Sequence, residues 1–195
     1  MKKRYAFPIN NREKIIFLSL VSWNKVTILE NIEIIFQGRQ IELTIGHGTA
    51  VGMLQDVING LQDVIQNKRV LSKKCLCKGN LGLYAVQDFA AYMLEQNDSG
   101  NVFQECPHQF YRLCAAKKRG TWLYNNEFGN IILEITPWFE ITVHTKQKKY
   151  EQWIQEYRPI SKRIIKIEKA SLLIQQIKLL LRIVRINGGL TPDFE

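Results

Sequence analysis

Between Trp122 and Ile135 the chain spells out a β-hairpin. Trp122-Leu123-Tyr124 and Ile131-Ile132-Leu133-Glu134-Ile135 are two strand-forming runs. The loop between them, Asn125-Asn126-Glu127-Phe128-Gly129-Asn130, carries the Asn and Gly residues that reach positive φ at little cost. Any fold for this chain must contain that antiparallel pair. Pro137 ends the second strand or makes it an edge, because it has no N–H to give to a ladder. Period-2 alternation predicts a second hairpin, with Ile32, Ile34 and Phe36 before Gly38-Arg39 and Ile41, Leu43 and Ile45 after it. Residues 15–21 read as a strand beside it or as a turn of buried helix, and residues 111–115 as a further strand.

The period then changes. Leu54, Val57, Ile58, Leu61, Val64 and Ile65 recur at helical spacing, with Gln55, Asp56, Asn59, Gln62, Asp63 and Gln66 opposite them. This predicts an amphipathic helix to about Lys68, opened by a turn at Gly46-His47-Gly48-Thr49. Gly60 inside it costs roughly 1 kcal/mol relative to Ala. Residues 73–82 read as a basic loop, residues 83–95 lean helical with strand left open, and Asn97-Asp98-Ser99-Gly100 is a turn. Ile141 and Val143 resume the strand that Pro137 interrupts.

Tyr150, Trp153, Ile154 and Tyr157 line one face of a short helix stopped by Arg158-Pro159. The last helix, about 168–186, has an apolar face of Ala170, Leu173, Ile174, Ile177, Leu180, Leu181 and Val184. Ser171, Gln175, Lys178, Arg182 and Arg185 make a polar stripe. Leu172, Leu179 and Ile183 widen the apolar side past a core-facing arc, so this helix calls for cover on more than one side. Together the elements predict an α+β protein: an antiparallel sheet, helices packed on one side of it, and a long C-terminal amphipathic helix. The 195 residues suit one domain, 1–195, with 187–195 a frayed tail. No repeat or linker is visible; residues 97–110 make the one plausible seam.

Composition narrows the function classes. The chain is 46% apolar, which excludes a disordered protein, and carries a net charge of +9. Between Lys146 and Arg185 stand 11 basic residues, opposed only by Glu151, Glu156 and Glu168. Such a stripe attracts polyanions or an acidic protein face. Met1-Lys2-Lys3-Arg4 resembles the start of a signal peptide, but the next apolar run comes late and no small-residue cleavage site follows. No run reaches the ~18 apolar residues that span a bilayer. Four irregularly spaced cysteines do not make a disulfide scaffold. A cytoplasmic protein, away from membranes, is expected.

The chemical motifs are weak. Cys75, Cys77, Cys106, His108 and Cys114 are zinc-type ligands, but C-x-C is not knuckle spacing and Cys114 falls in a strand. No local signature pairs a Cys with His47, His108 or His144 as an activated nucleophile. Gly46 to Gly52 lacks both phosphate-loop patterns. Glu127 and Glu134 have no facing acid for glycosidase-type work. No enzyme activity, metal or cofactor is expected. Nucleic-acid binding is the better alternative: Lys146, Lys148, Lys149, Arg158, Lys162, Arg163 and Lys166 accompany Tyr150, Trp153 and Tyr157, which would contact phosphates and stack on bases.

The segment Trp122-Leu123-Tyr124-Asn125-Asn126-Glu127-Phe128-Gly129-Asn130-Ile131-Ile132-Leu133-Glu134-Ile135-Thr136-Pro137 resembles immunity proteins of contact-dependent growth inhibition and related polymorphic toxin systems. Tyr150-x2-Trp153-Ile154-x2-Tyr157-x-Pro159, with the basic residues and closing helix after it, is similar to the same pattern. The resemblance covers about 120–185. It implies a non-enzymatic cytoplasmic protein that binds and neutralises the C-terminal domain of a cognate toxin, often a nuclease. Immunity proteins against basic nucleases are often acidic, whereas this chain is basic. Either its toxin presents an acidic face or the basic stripe lies away from the interface. Tight binding needs a desolvated aromatic or Arg centre. Candidate contacts are Trp138 and Phe139, expected exposed on a loop after the strand-ending Pro137, with Lys146, Lys148, Lys149, Arg158, Lys162 and Arg163, and with Trp153 and Tyr157 divided between contact and core.

Overall fold

Apolar residues at strand spacing on both sides of short turns become two antiparallel sheets in a computed structural model of the chain. It describes residues 4–19, 31–71, 81–86, 112–116, 118–139 and 147–187. The first sheet is a meander of β1 (Arg4–Pro8), β2 (Lys14–Ser19), β3 (Asn31–Gln37) and β4 (Glu42–Thr49) in chain order. Helix α1 (Ala50–Ile65) follows directly. The second sheet is ordered β5 (Arg112–Ala116), β6 (Arg119–Asn125), β7 (Ile131–Pro137) and β8 (Ser161–Ile165). Helix α2 (Gln147–Glu156) lies between β7 and β8, and α3 (Ile167–Asn187) follows β8. The α+β class and the long C-terminal helix hold, with the strands divided between two sheets rather than gathered in one. Residues 15–18 are strand, in register with both β1 and β3.

The two sheets and two helices share one core. Phe17, Ile34, Phe36 and Ile45 enter it from the first sheet, and Leu123, Ile131 and Leu133 from the second. Leu54, Ile58 and Leu61 of α1 and Leu173, Ile177 and Leu180 of α3 complete it as the helices run against each other. Each such side chain stabilises the fold by about 1.5–3 kcal/mol through burial. Gly60 has its reason here. A Cβ at that position would lie 2.8 Å from Leu113 Cδ1, so the missing side chain lets α1 approach the second sheet. The closeness offsets the helix-propensity cost.

Gly46-His47-Gly48-Thr49 is the end of β4, not a turn. The helix starts one residue later, because Gly46 is pressed against the second sheet: a Cβ there would stand 2.9 Å from Cys114 Cβ. The Cys114 thiol and the Thr121 hydroxyl both donate to the Ile45 carbonyl at 3.2 Å, and Arg119 donates to the Thr44 carbonyl. These bonds join the last strand of one sheet to the first strands of the other. Ile41, expected on a buried strand face, sits in the β3–β4 turn and is exposed.

The second sheet is covered on its other face too. Leu71, Leu81, Tyr84 and Ala85 pack there against Trp122, Tyr124 and Ile132, with Trp138 beside them. Residues 81–86 are helical, so Leu81 and Gly82, expected in a loop, belong instead to a helix whose Leu81 and Ala85 pack on the sheet. The predicted 122–135 hairpin forms, with Trp122 opposite Glu134 and Tyr124 opposite Ile132. Its turn is held by the Asn126 carboxamide, which accepts from the Phe128 and Asn130 N–H groups. Expectations for 73–80, 87–95, the turn at 97–100, the seam at 97–110, Ile141, Val143 and the tail beyond 187 lie outside the described residues. No described helix is long and apolar enough to cross a membrane.

Candidate partner-binding surface

Among the described residues, those expected at a binding site do not form one surface. Lys162 and Arg163 are neighbours on β8, and strand geometry sends them to opposite faces. Lys162 lies above the Tyr124 ring and 3.8 Å from the Glu134 carboxylate. Arg163 reaches the opposite way, donating to Glu13 in the β1–β2 turn and to the Lys162 carbonyl. Lys148 and Lys149 are exposed on α2. Arg158 folds back on the end of α2, donating to the Tyr157 and Gln155 carbonyls. Lys146, Cys75, Cys77, Cys106, His108 and His144 lie outside the described residues.

Trp138 and Phe139, read as candidate exposed anchors, are half-buried. Trp138 packs on Trp122 at 6.2 Å between ring centres, and the Arg112 guanidinium stacks over it. Phe139 sits against Tyr150 and Trp153, and Trp153 against Tyr157. The aromatics following Pro137 and those of α2 thus satisfy each other. Glu134 is buried and accepts a 2.6 Å hydrogen bond from the Tyr124 hydroxyl. Burial and the adjacent carboxylate both push the Tyr124 phenol upward. Cys114 is buried in β5, and desolvation raises its thiol to about 12, although the Thr121 hydrogen bond and Arg112 oppose the shift. A thiol held so high is a poor nucleophile and a poor ligand at neutral pH. Among the described residues no group of three His, Cys, Asp or Glu side chains is placed to hold a metal ion.

Two surfaces do gather exposed groups. The first is the outer side of α3. Leu172, Leu179, Ile183 and Ile186 stand at intervals of seven, four and three residues, which puts them in one row along the helix. They are exposed, from 38% at Leu172 to 66% at Ile186. Lys178, Arg182 and Arg185, four and three apart, form the next row round. These three cations pair with no carboxylate among the described residues. The widened apolar arc was legible in the sequence as a demand for cover, and the core covers only the inner part of it.

The second surface is a cleft of about 910 Å³ bounded by the β1–β2 turn, the β3–β4 turn and the β8–α3 junction. Among the described residues Arg12, Arg39, Arg163, Lys166 and Lys169 line it, with Glu13 as the one carboxylate. Burial raises the Glu13 carboxyl, but hydrogen bonds from Arg163 and Asn10 and the Arg163 charge outweigh that and hold it below the usual carboxylate range. Arg12 and Arg39 escaped the sequence reading, because each is a single charge in a turn. No protein-family model matches this sequence, and no curated protein or solved structure matches it.

Proposed function

We propose that this protein is an immunity protein. It acts in the cytoplasm, where it binds and neutralises the C-terminal domain of a cognate contact-dependent growth inhibition toxin through the outer side of α3. The observation that carries this reading is the exposed aliphatic row Leu172, Leu179, Ile183 and Ile186 with its cationic edge of Lys178, Arg182 and Arg185. An apolar row of this kind gains free energy only when another apolar surface covers it. The adjoining cations select a partner whose rim is acidic, speeding encounter and fixing register. Charge complementarity favours such a partner over a second copy of this chain, which would bring its own α3 cations to the interface. The resemblance of residues 122–137 and 150–159 to immunity proteins supplies the kind of partner.

Nucleic-acid binding through 146–185 has less support. Stacking on bases needs free aromatic faces beside the cations. Tyr150, Trp153 and Tyr157 instead pack on Phe139 and on one another. Leu and Ile side chains offer a strand of bases no stacking face.

The test is co-expression with the C-terminal domain encoded by the reading frame immediately upstream. Growth rescue and a stable 1:1 complex are expected. Leu179→Glu combined with Ile183→Glu should abolish both while leaving the melting temperature almost unchanged, since both residues are exposed. Failure of the unaltered protein to bind or rescue would sink the immunity reading. Full activity of the double variant would remove α3 from the interface.

A further inference from the structure

The cationic cleft is separate from the α3 row and has its own chemistry. Its five cations come from three chain segments that are distant in sequence and meet only because the first sheet's turns close on the β8–α3 junction. Its volume of about 910 Å³ lies within the range of small-molecule sites, roughly 300–1,000 Å³. Glu13 is already engaged by Arg163 and by Asn10, at 2.8 Å from the latter. Arg12, Arg39, Lys166 and Lys169 pair with no carboxylate among the described residues. Gathering five cations against one carboxylate, counted among the described residues, opposes folding through mutual repulsion and concentrates a positive potential in a recess. A ligand of opposite charge relieves both.

We propose that this cleft binds the phosphate chain of a small polyphosphate, either inorganic or carried by a nucleoside. Guanidinium groups match phosphate oxygens with two parallel donors, and three of the five cations are arginines. Arg163 is already oriented, with Nε on Glu13 and Nη1 on the Lys162 carbonyl 2.8 Å away. A single carboxylate would leave most of the charge uncompensated, whereas a chain of phosphates spreads several charges across the three segments. Exposed Ile41 and Ile164 lie in the same lining and offer apolar cover to a nucleoside. Phe36, the one aromatic side chain in the described lining, is buried beneath it, so the cleft has no platform on which a nucleic-acid strand would stack.

Titration calorimetry on the full chain, with sodium tripolyphosphate, ATP and a hexaglutamate peptide at one ionic strength in metal-free buffer, tests this. Saturable 1:1 binding of tripolyphosphate is expected, with hexaglutamate much weaker. The Arg12→Gln and Arg39→Gln double variant should weaken tripolyphosphate by about tenfold or more. Both residues are exposed in turns, and an unchanged melting temperature verifies the fold. The α3 double variant should bind tripolyphosphate like the unaltered protein, which separates this site from the toxin-binding reading. ATP binding tighter than tripolyphosphate supports the nucleoside form, and equal binding supports the inorganic chain. Absence of saturable binding, hexaglutamate binding as tightly as tripolyphosphate, or no loss in the arginine variant would each overturn the site. So would a single-stranded RNA that outcompetes both phosphates.

Discussion

The two halves of the molecule run in the same order, four antiparallel strands and then a helix, and differ in what they bury. In the first half, β1–β4 and α1, the buried side chains among the described residues are apolar. In the second, β5–β8 and α3 with α2 inserted before β8, five polar or charged residues are buried among the described ones: Thr121, Asn125, Glu134, Thr136 and Ser161. The cause is coverage. Helix α1 and the shared core close one face of the second sheet, and Leu71, Leu81, Tyr84 and Ala85 pack on the other. Strands β6 and β7 are consequently buried along nearly their whole length. Polar groups trapped between two covers need partners. Trp122 donates to the Thr136 hydroxyl at 2.8 Å, Tyr124 to Glu134, and Asn125 to the Val64 carbonyl. A sheet covered twice gains apolar burial and must pair most of the polar atoms it hides; Asn125 Oδ1 and Ser161 Oγ have no hydrogen-bond partner among the described residues.

The sharpest way to break this comparison is Trp122→Ala. Trp122 is fully buried in the outer cluster, and its loss also strips the Thr136 hydroxyl of a donor. A loss of about 3–5 kcal/mol is expected in urea unfolding. A loss under about 1 kcal/mol would mean that the outer cover of the second sheet contributes little. The next effect isolates the polar obligation. Tyr124→Phe keeps the ring and removes the donor to Glu134, so a loss of about 1–3 kcal/mol is expected by the same measurement. A neutral result would show that Lys162 alone suffices to hold the buried carboxylate.

The smallest effect concerns the tie between the halves. The Glu13 carboxyl is held below its ordinary 4.5 in the folded protein. Its contribution to stability is therefore fully present above that ordinary value and is lost as pH falls through the lowered folded one. Glu13→Gln should flatten the acid side of the stability curve below about pH 4.5 and cost less near neutrality than either substitution above. An unchanged acid slope would remove the Glu13–Arg163 bond from the ties between the halves.

Much of the fold was legible in local pattern. The hairpins at 32–45 and 122–135, the helix at 50–65 and the closing helix were all written in periods of 2 or 3.6. The places that misread are those where distant chain intrudes. Gly46 to Thr49 carries turn residues, yet the approach of Cys114 makes the glycines part of a strand. Trp138 and Phe139 follow a strand-ending proline and read as loop anchors, but Trp122, Tyr150 and Trp153 stand where those side chains go. The basic stripe read as one surface because its charges are close in sequence; β8 divides Lys162 from Arg163, and α3 carries Lys178, Arg182 and Arg185 away from both.

What the sequence by itself determined is the kind of each element, its apolar face, and the excess of apolar surface on the last helix, since these follow from spacing along a few turns or strand repeats. Only the tertiary structure decided which surfaces exist. Arg12 and Arg163 lie more than a hundred residues apart in the chain, and nothing in the neighbourhood of either announces the other. The cleft comes into being when strand register and core packing close the two sheets together, and that proximity is a property of the whole chain rather than of any segment of it.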